Sequence, residues 1–212
     1  NGANSSFVNQ IVDEDVPPEA VAACPLTAVE ALAAVPSPAL PTGPMLFAPR
    51  RNSRGWDLTD TAELAAVQTA RAPFATVPFE AGPRLAGRAV GGPRLPVLNP
   101  ATAAPVGHVL TASQPDVDTA LRLAEPWAAA APERATVLNR AADRMEADHG
   151  RIFALLAREA GKTLPDAQSE LREAVDFLRY YAAQADILFS APEIMPGPTG
   201  ESNQLSLDGR GV

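Results

Sequence analysis

The 212-residue chain is 46% apolar and 20% charged, enough hydrophobic content to bury a core in one domain or slightly more. Its formal charge of −8 excludes a basic surface that tracks nucleic acid phosphates, and one cysteine with two histidines, His108 and His149, gives neither an internal disulfide nor zinc-ligand spacing. No apolar run approaches the roughly 18 residues of a membrane span and no signal-peptide pattern opens the chain, so a cytoplasmic location without a metal site is expected.

From Ser6 to Glu30 short apolar pieces, Phe7-Val8 and Ile11-Val12, precede Pro17-Pro18-Glu19, which opens a helical stretch through Val21. Pro36, Pro38, Pro41, Pro44 and Pro49 then fix φ and remove backbone donors, which predicts an extended linker and a domain boundary. Asn52 to Leu58 reads as a turn, after which Thr59 or Asp60 caps an amphipathic, surface-lying helix from about Thr61 to Arg71.

Between Thr76 and Thr111 the pattern becomes short β-type runs, Arg88 to Val90, Leu95 to Leu98 and Val106 to Leu110, with a turn at Asn99-Pro100; hairpins are expected. Three helices are predicted next, over Val117–Ala124, Pro132–Ala160 and Pro165–Leu188. Their apolar stripes are Val137, Ala141 and Met145 in the second, and Leu171, Val175, Leu178 and Ala182 in the third. The end, Leu205 to Val212, reads as a short strand and turn without sheet partners, which would leave an exposed edge. That ending, together with the start at Asn1, points to a piece of a longer parent.

Candidate chemistry is sparse. Cys24 has no histidine near it in sequence and reads as a small buried residue at a helix end. Gly87, Gly91 and Gly92 do not form G-x-G-x-x-G and lie between strand-like runs, so they read as hairpin glycines. On the last helix, Glu170, Glu173, Phe177, Tyr180 or Tyr181, and Gln184 recur at three- to four-residue steps opposite the aliphatic stripe. This face is either a solvated surface laced by pairs such as Glu159–Lys162 and Arg172–Asp176, or a pocket wall whose carboxylate holds an ammonium group. Lys162 follows Gly161, a C-cap candidate, and is assigned a structural role at the preceding helix end.

The stretches REAGKT and SELREAVDFLRYYA resemble the early helices of aldehyde dehydrogenases that oxidise glutamate γ-semialdehyde. VLNPATAAPVGHV and PERATVLNRAADRME resemble the opening hairpin and first long helix of the same domain, while FVNQIVD, VPPEAVAACP and RRNSRGWDL resemble the end of a bacterial proline dehydrogenase barrel and its connection. Together they resemble the bifunctional proline utilization A proteins across essentially the whole chain.

The resemblance implies an α/β parent of aldehyde dehydrogenase type, with this chain mainly α-helical and carrying short β-hairpins. It implies three regions: residues 1–34, the tail of the proline dehydrogenase region; 35–75, a proline-rich linker with a surface helix; and 76–212, the start of the aldehyde dehydrogenase domain. The parent uses FAD to oxidise proline and NAD to oxidise glutamate semialdehyde, through a cysteine thiohemiacetal and hydride transfer. Both catalytic centres would lie outside these residues, so the chain alone binds neither cofactor and is expected to be inactive.

Its partners would be the semialdehyde, the remainder of the polypeptide and further copies in a homo-oligomer. Glu173 matches a family glutamate lining the semialdehyde tunnel, with Phe177 and Tyr181 as companions on the same wall. Two other readings are a monofunctional aldehyde dehydrogenase with an amino-terminal extension, and a non-catalytic helical interaction module.

Overall fold

The computed structural model describes residues 14–22, 24–31 and 39–208, and divides the chain into a unit from Asn1 to Pro41 and another from Thr42 to Val212. In the first, proline at the opening position starts α1 (Pro18–Val21), and α2 spans Pro25–Ala31. Cys24 corrects the sequence reading, since it is exposed and precedes a helix. The apolar pairs Phe7-Val8 and Ile11-Val12, and Pro36 and Pro38 of the linker, lie outside the described residues.

The second unit opens with a single 3-10 turn, Gly43–Met45, to which the chain folds back through an Asn52 N–H to Pro44 carbonyl bond of 2.8 Å. Of the stretch from Asn52 to Leu58 expected as a turn, only Leu58 begins one; residues 52–57 form no regular element, and Asn52, Ser53 and Trp56 are buried. Helix α3 (Thr61–Arg71) starts where predicted, because the Asp60 carboxylate accepts from the N–H groups of Ala62 and Glu63. It is more than a surface helix. Val67, only 1% exposed, enters the core.

Strands β1 (Phe79–Ala81), β4 (Arg94–Leu98) and β5 (Pro105–Leu110) form one sheet in the order β1-β5-β4. The predicted hairpin β4–β5 is turned by Asn99, whose side-chain oxygen accepts from Ala101 and Thr102 N–H, with Ala103 at φ +56°. β2 (Arg84–Leu85) and β3 (Arg88–Ala89) make a second hairpin. Hairpin reasoning missed β1, which pairs parallel to β5; a Cβ on Gly107 would lie 1.8 Å from the Phe79 carbonyl oxygen, so only glycine allows this register.

Four helices follow. α4 (Gln114–Leu123) begins earlier than expected because Ser113 and Asp116 close a capping box, the signal that moves the start. The single helix expected over Pro132–Ala160 is two, α5 (Ala131–Ala147) and α6 (His149–Glu159), broken at Asp148. There φ −93° and ψ 19° leave the helical region, and His149 Nδ1 donates 3.0 Å to the Glu146 carbonyl.

Gly161, at φ +66°, ends α6 as predicted, letting the Lys162 N–H close on Leu156 O at 3.2 Å. Thr163 then caps α7 (Leu164–Phe189). β6 (Glu193–Met195) and β7 (Asn203–Leu205) pair antiparallel; the strand and turn expected from Leu205 to Val212 share only Leu205 with β7, residues 206–208 form no strand, and the remainder lies outside the described residues.

The core joins Trp56, Val67, Ala142, Phe153, Ala167, Leu171 and Val175. On α5 the inward face is Ala131, Ala135 and Ala142, while Val137 of the expected stripe is exposed. Small residues there let α5 and α7 approach closely. Phe153 and Val175 are fully buried, each contributing about 1.5–3 kcal/mol relative to exposure. Trp56 meets Phe153 edge-on at 5.3 Å, so the segment preceding α3 is part of this core.

Candidate functional site

Helix α7 presents two chemistries because its inward stripe, Ala167, Leu171, Val175, Arg179 and Ala182, consumes one face. Its other face bears Glu170, Glu173, Phe177, Tyr180 and Tyr181, all exposed. The two intrahelical pairs expected there do not form. Glu170 instead takes Lys162 Nζ at 2.6 Å, which raises the lysine pKa first through that hydrogen bond and then through the charge. Lys162 thus braces α7 by its side chain and ends α6 by its amide.

Asp176 turns toward Ser53. Its carboxylate accepts from the Ser53 N–H at 2.6 Å and the Ser53 hydroxyl at 2.8 Å, and Arg172 Nε donates to the same hydroxyl oxygen at 3.3 Å. Glu173 is different: its carboxylate has no hydrogen bond or ion pair among the described residues. It lines an open groove of about 410 Å³ with Arg50, Asp176, Phe177 and Tyr180. Tyr181 stacks on Phe177 at 5.9 Å and meets Tyr180 edge-on at 5.2 Å, backing the groove without lining it.

Two contributors escaped sequence reasoning. Arg50 reaches the groove from the proline-rich connection, its guanidinium 5.2 Å from the Phe47 ring centre and 5.8 Å from that of Tyr180. The signal was an arginine three residues after Phe47, too common to single out. The other is Arg179, only 4% exposed, which the periodicity did not single out.

Arg179 binds both Glu146 oxygens, at 3.2 and 2.7 Å, and also Asp143 at 2.8 Å and the Asn52 carbonyl at 3.0 Å. Glu146 in turn accepts from the Arg54 N–H. One guanidinium therefore ties α5 and α7 to residues 52–54.

Burial pushes the Glu146 carboxyl up, but hydrogen bonds from Arg179 and the Arg54 amide, with the charges of Arg179 and Arg51, outweigh it and hold the pKa below the ordinary 4.5. A lowered folded pKa means stability that is fully present above the unfolded value and is lost as pH falls through the folded one. Urea midpoints of the chain are therefore expected to drop as the pH falls below the ordinary carboxyl value of 4.5. Glu146→Gln should be less stable at neutral pH and show a shallower decline; an unchanged slope would mean that this carboxylate does not couple to folding.

The glycines offer no phosphate cradle. Gly92 spends its N–H on the Thr111 carbonyl at 2.6 Å, and Gly87 and Gly91 lie between β2 and β4, away from any helix start. Among the described residues no helix is long and apolar enough to cross a membrane, and no cluster of three His, Cys, Asp or Glu side chains forms a metal site.

Comparison with known proteins places this geometry. The chain is 42% identical to the bifunctional protein PutA of Escherichia coli over 197 residues, covering 87% of this chain and 15% of that protein. It is 38% identical over 112 residues to 1-pyrroline-5-carboxylate dehydrogenase 2 of Bacillus subtilis, covering 50% of this chain and 22% of that protein. A crystal structure of Bradyrhizobium japonicum Proline Utilization A superposes with a TM-score of 0.63 at 36% identity, covering 99% of this chain and 19% of that one.

The chain thus spans about 15% of the length of the PutA relative above, and that match reaches well ahead of residue 88. The model of the aldehyde dehydrogenase family matches residues 88–212, more than half of the sequence, and the chain belongs to that family.

Proposed function

We propose that this chain is a stretch of a bifunctional proline-to-glutamate enzyme, contributing the substrate wall of its NAD-dependent glutamate semialdehyde dehydrogenase half. The observation that carries the reading is the reach of the PutA similarity over 87% of the chain, against 50% for the Bacillus subtilis dehydrogenase. The sequence match to that dehydrogenase leaves the other half of the chain without a counterpart.

Residues 1–34 are assigned to the end of the proline dehydrogenase region, 35–75 to the connection and 76–212 to the aldehyde dehydrogenase domain. Trp56 and Val67 support treating the second half of the connection as structurally integral to that domain. NAD, and FAD for the proline step, are assigned to residues outside this chain, as are the cysteine that forms the thiohemiacetal and the groups that stabilise its oxyanion. The enzyme is further assigned to the cytoplasm and to a homo-oligomer.

Glu173 is assigned to the semialdehyde's ammonium group, with Phe177 lining the same wall and Tyr181 holding Phe177 in place. An unpaired carboxylate in an open groove is available to a cation without first breaking an internal pair. In the full-length enzyme, Glu173→Gln is expected to raise KM for glutamate semialdehyde by about 10- to 100-fold, the worth of one charge-assisted hydrogen bond. Proline oxidation should be untouched. An unchanged KM would remove Glu173 from the substrate site.

A further inference from the structure

Asp176 follows Glu173 by three positions on α7 and lines the same groove, yet the two carboxylates are held differently. Ser53 spends both of its donors on Asp176, the N–H on one oxygen at 2.6 Å and the hydroxyl on the other at 2.8 Å. The same hydroxyl oxygen accepts from Arg172 Nε at 3.3 Å, one turn earlier on the helix. A Cβ added to Gly55 would lie 3.8 Å from the Arg172 guanidinium, so that group also rests against the backbone of the connection. Arg172 and Asp176, on either side of Glu173 in sequence, are thus gripped by one buried serine, only 2% exposed.

We propose that Ser53 is a positioning residue of the semialdehyde site, clamping this strip of α7 and so fixing where the Glu173 carboxylate stands. This role rests on the assignment of Glu173 above, and Ser53 itself touches no substrate. A helical side chain ends about 5–6 Å from the helix axis, so turning α7 by about 10° carries a carboxylate about 1 Å. A displacement of that size costs up to about 100-fold. Apolar contacts have no direction and tolerate such a turn, whereas two hydrogen bonds to both oxygens of one carboxylate do not.

Ser53 can serve as an anchor because its backbone is held on both sides. The Asn52 carbonyl accepts from Arg179 at 3.0 Å and the Asn52 N–H bonds to Pro44, while the Arg54 N–H is taken by Glu146. Trp56, packed on Phe153, ties the same stretch into the core. Arg179 and Glu146 thereby support the serine that supports the wall. The clamp also withdraws Asp176 as a rival to Glu173, since both Asp176 oxygens are occupied.

The test is a double-mutant cycle in the full-length enzyme, read as KM for glutamate semialdehyde, with proline oxidation as the internal control. Ser53→Ala keeps the amide bond to Asp176 and loses the hydroxyl; it is expected to raise KM about 10-fold and leave proline oxidation unchanged. On a Glu173→Gln background the same change should cost less than about twofold, because the charge that Ser53 positions is already gone. A serine that only stabilises the fold would instead lower kcat through loss of folded enzyme and leave KM in place.

An unchanged KM with Ser53→Ala, or equal increases in both backgrounds, overturns the positioning role while the effect of Glu173→Gln stands. A Glu173→Gln enzyme with the KM of the wild type sinks the assignment of Glu173, and the role of Ser53 with it. Should Ser53→Ala fail to fold, Asp176 decides the matter. Asp176→Asn retains an acceptor for the Ser53 N–H and gains a donor for its hydroxyl, so its KM must rise less than that of Asp176→Ala. Equal rises in those two variants mean that Asp176 acts through its charge, and they overturn the clamp.

Discussion

Replacing Arg179 with methionine is expected to destabilise the chain by about 3–5 kcal/mol, the cost of leaving a buried charge without its partner. The carboxylate of Glu146 is 11% exposed and relies on two Arg179 bonds, so the substitution strands it together with the Asn52 carbonyl. Asp143, at 64% exposure, regains water and adds little. Urea denaturation measures the loss directly.

The double variant Arg179→Met with Glu146→Leu should recover much of the stability, because an apolar pair of similar volume removes the stranded charge along with its partner. A single-variant loss under about 1 kcal/mol, the range of exposed pairs, would mean that water already satisfies this cluster. Loss of the pin should also loosen residues 52–54, readable as faster amide exchange at Ser53 and Arg54.

The second large effect is steric. Gly150 sits in the first turn of α6 where that helix crosses α3; a Cβ added there would lie 2.3 Å from the Ala70 carbonyl oxygen and 2.8 Å from the Ala70 Cβ. Backbone cannot step aside as a flexible side chain does, so α6 must move away from α3. Gly150→Ala is expected to cost about 1–3 kcal/mol or more, despite a helix-propensity gain of about 1 kcal/mol. Thermal unfolding checks it: a variant as stable as the parent, as propensity alone predicts, would mean that α3 and α6 are not in close contact.

Local signals were legible wherever one residue type has one geometric use. Asp60 caps α3, Asn99 turns β4 into β5, and Gly161 ends α6 in the left-handed region, each through its own backbone or an adjacent amide. The aliphatic stripe of α7 was readable for the same reason, since Leu171, Val175 and Ala182 repeat at helical spacing. The stripe of α5 was not. Alanine carries too weak a hydrophobic signal to mark Ala131, Ala135 and Ala142 as the inner face over Val137.

Composition and short-range chemistry thus determined the acidic character of the chain, the positions of most helices and hairpins, and the outward face on which Glu173, Phe177, Tyr180 and Tyr181 lie. Tertiary structure decided which charges that face leaves available. Asp176 and Glu173 are the same kind of residue three positions apart on one helix, yet Ser53 occupies the first and nothing occupies the second. Ser53 and Arg50 come from more than a hundred residues upstream, and Arg179 is held by Glu146 across 33 residues. Such pairings depend on how segments distant in sequence are brought together, which local periodicity does not encode.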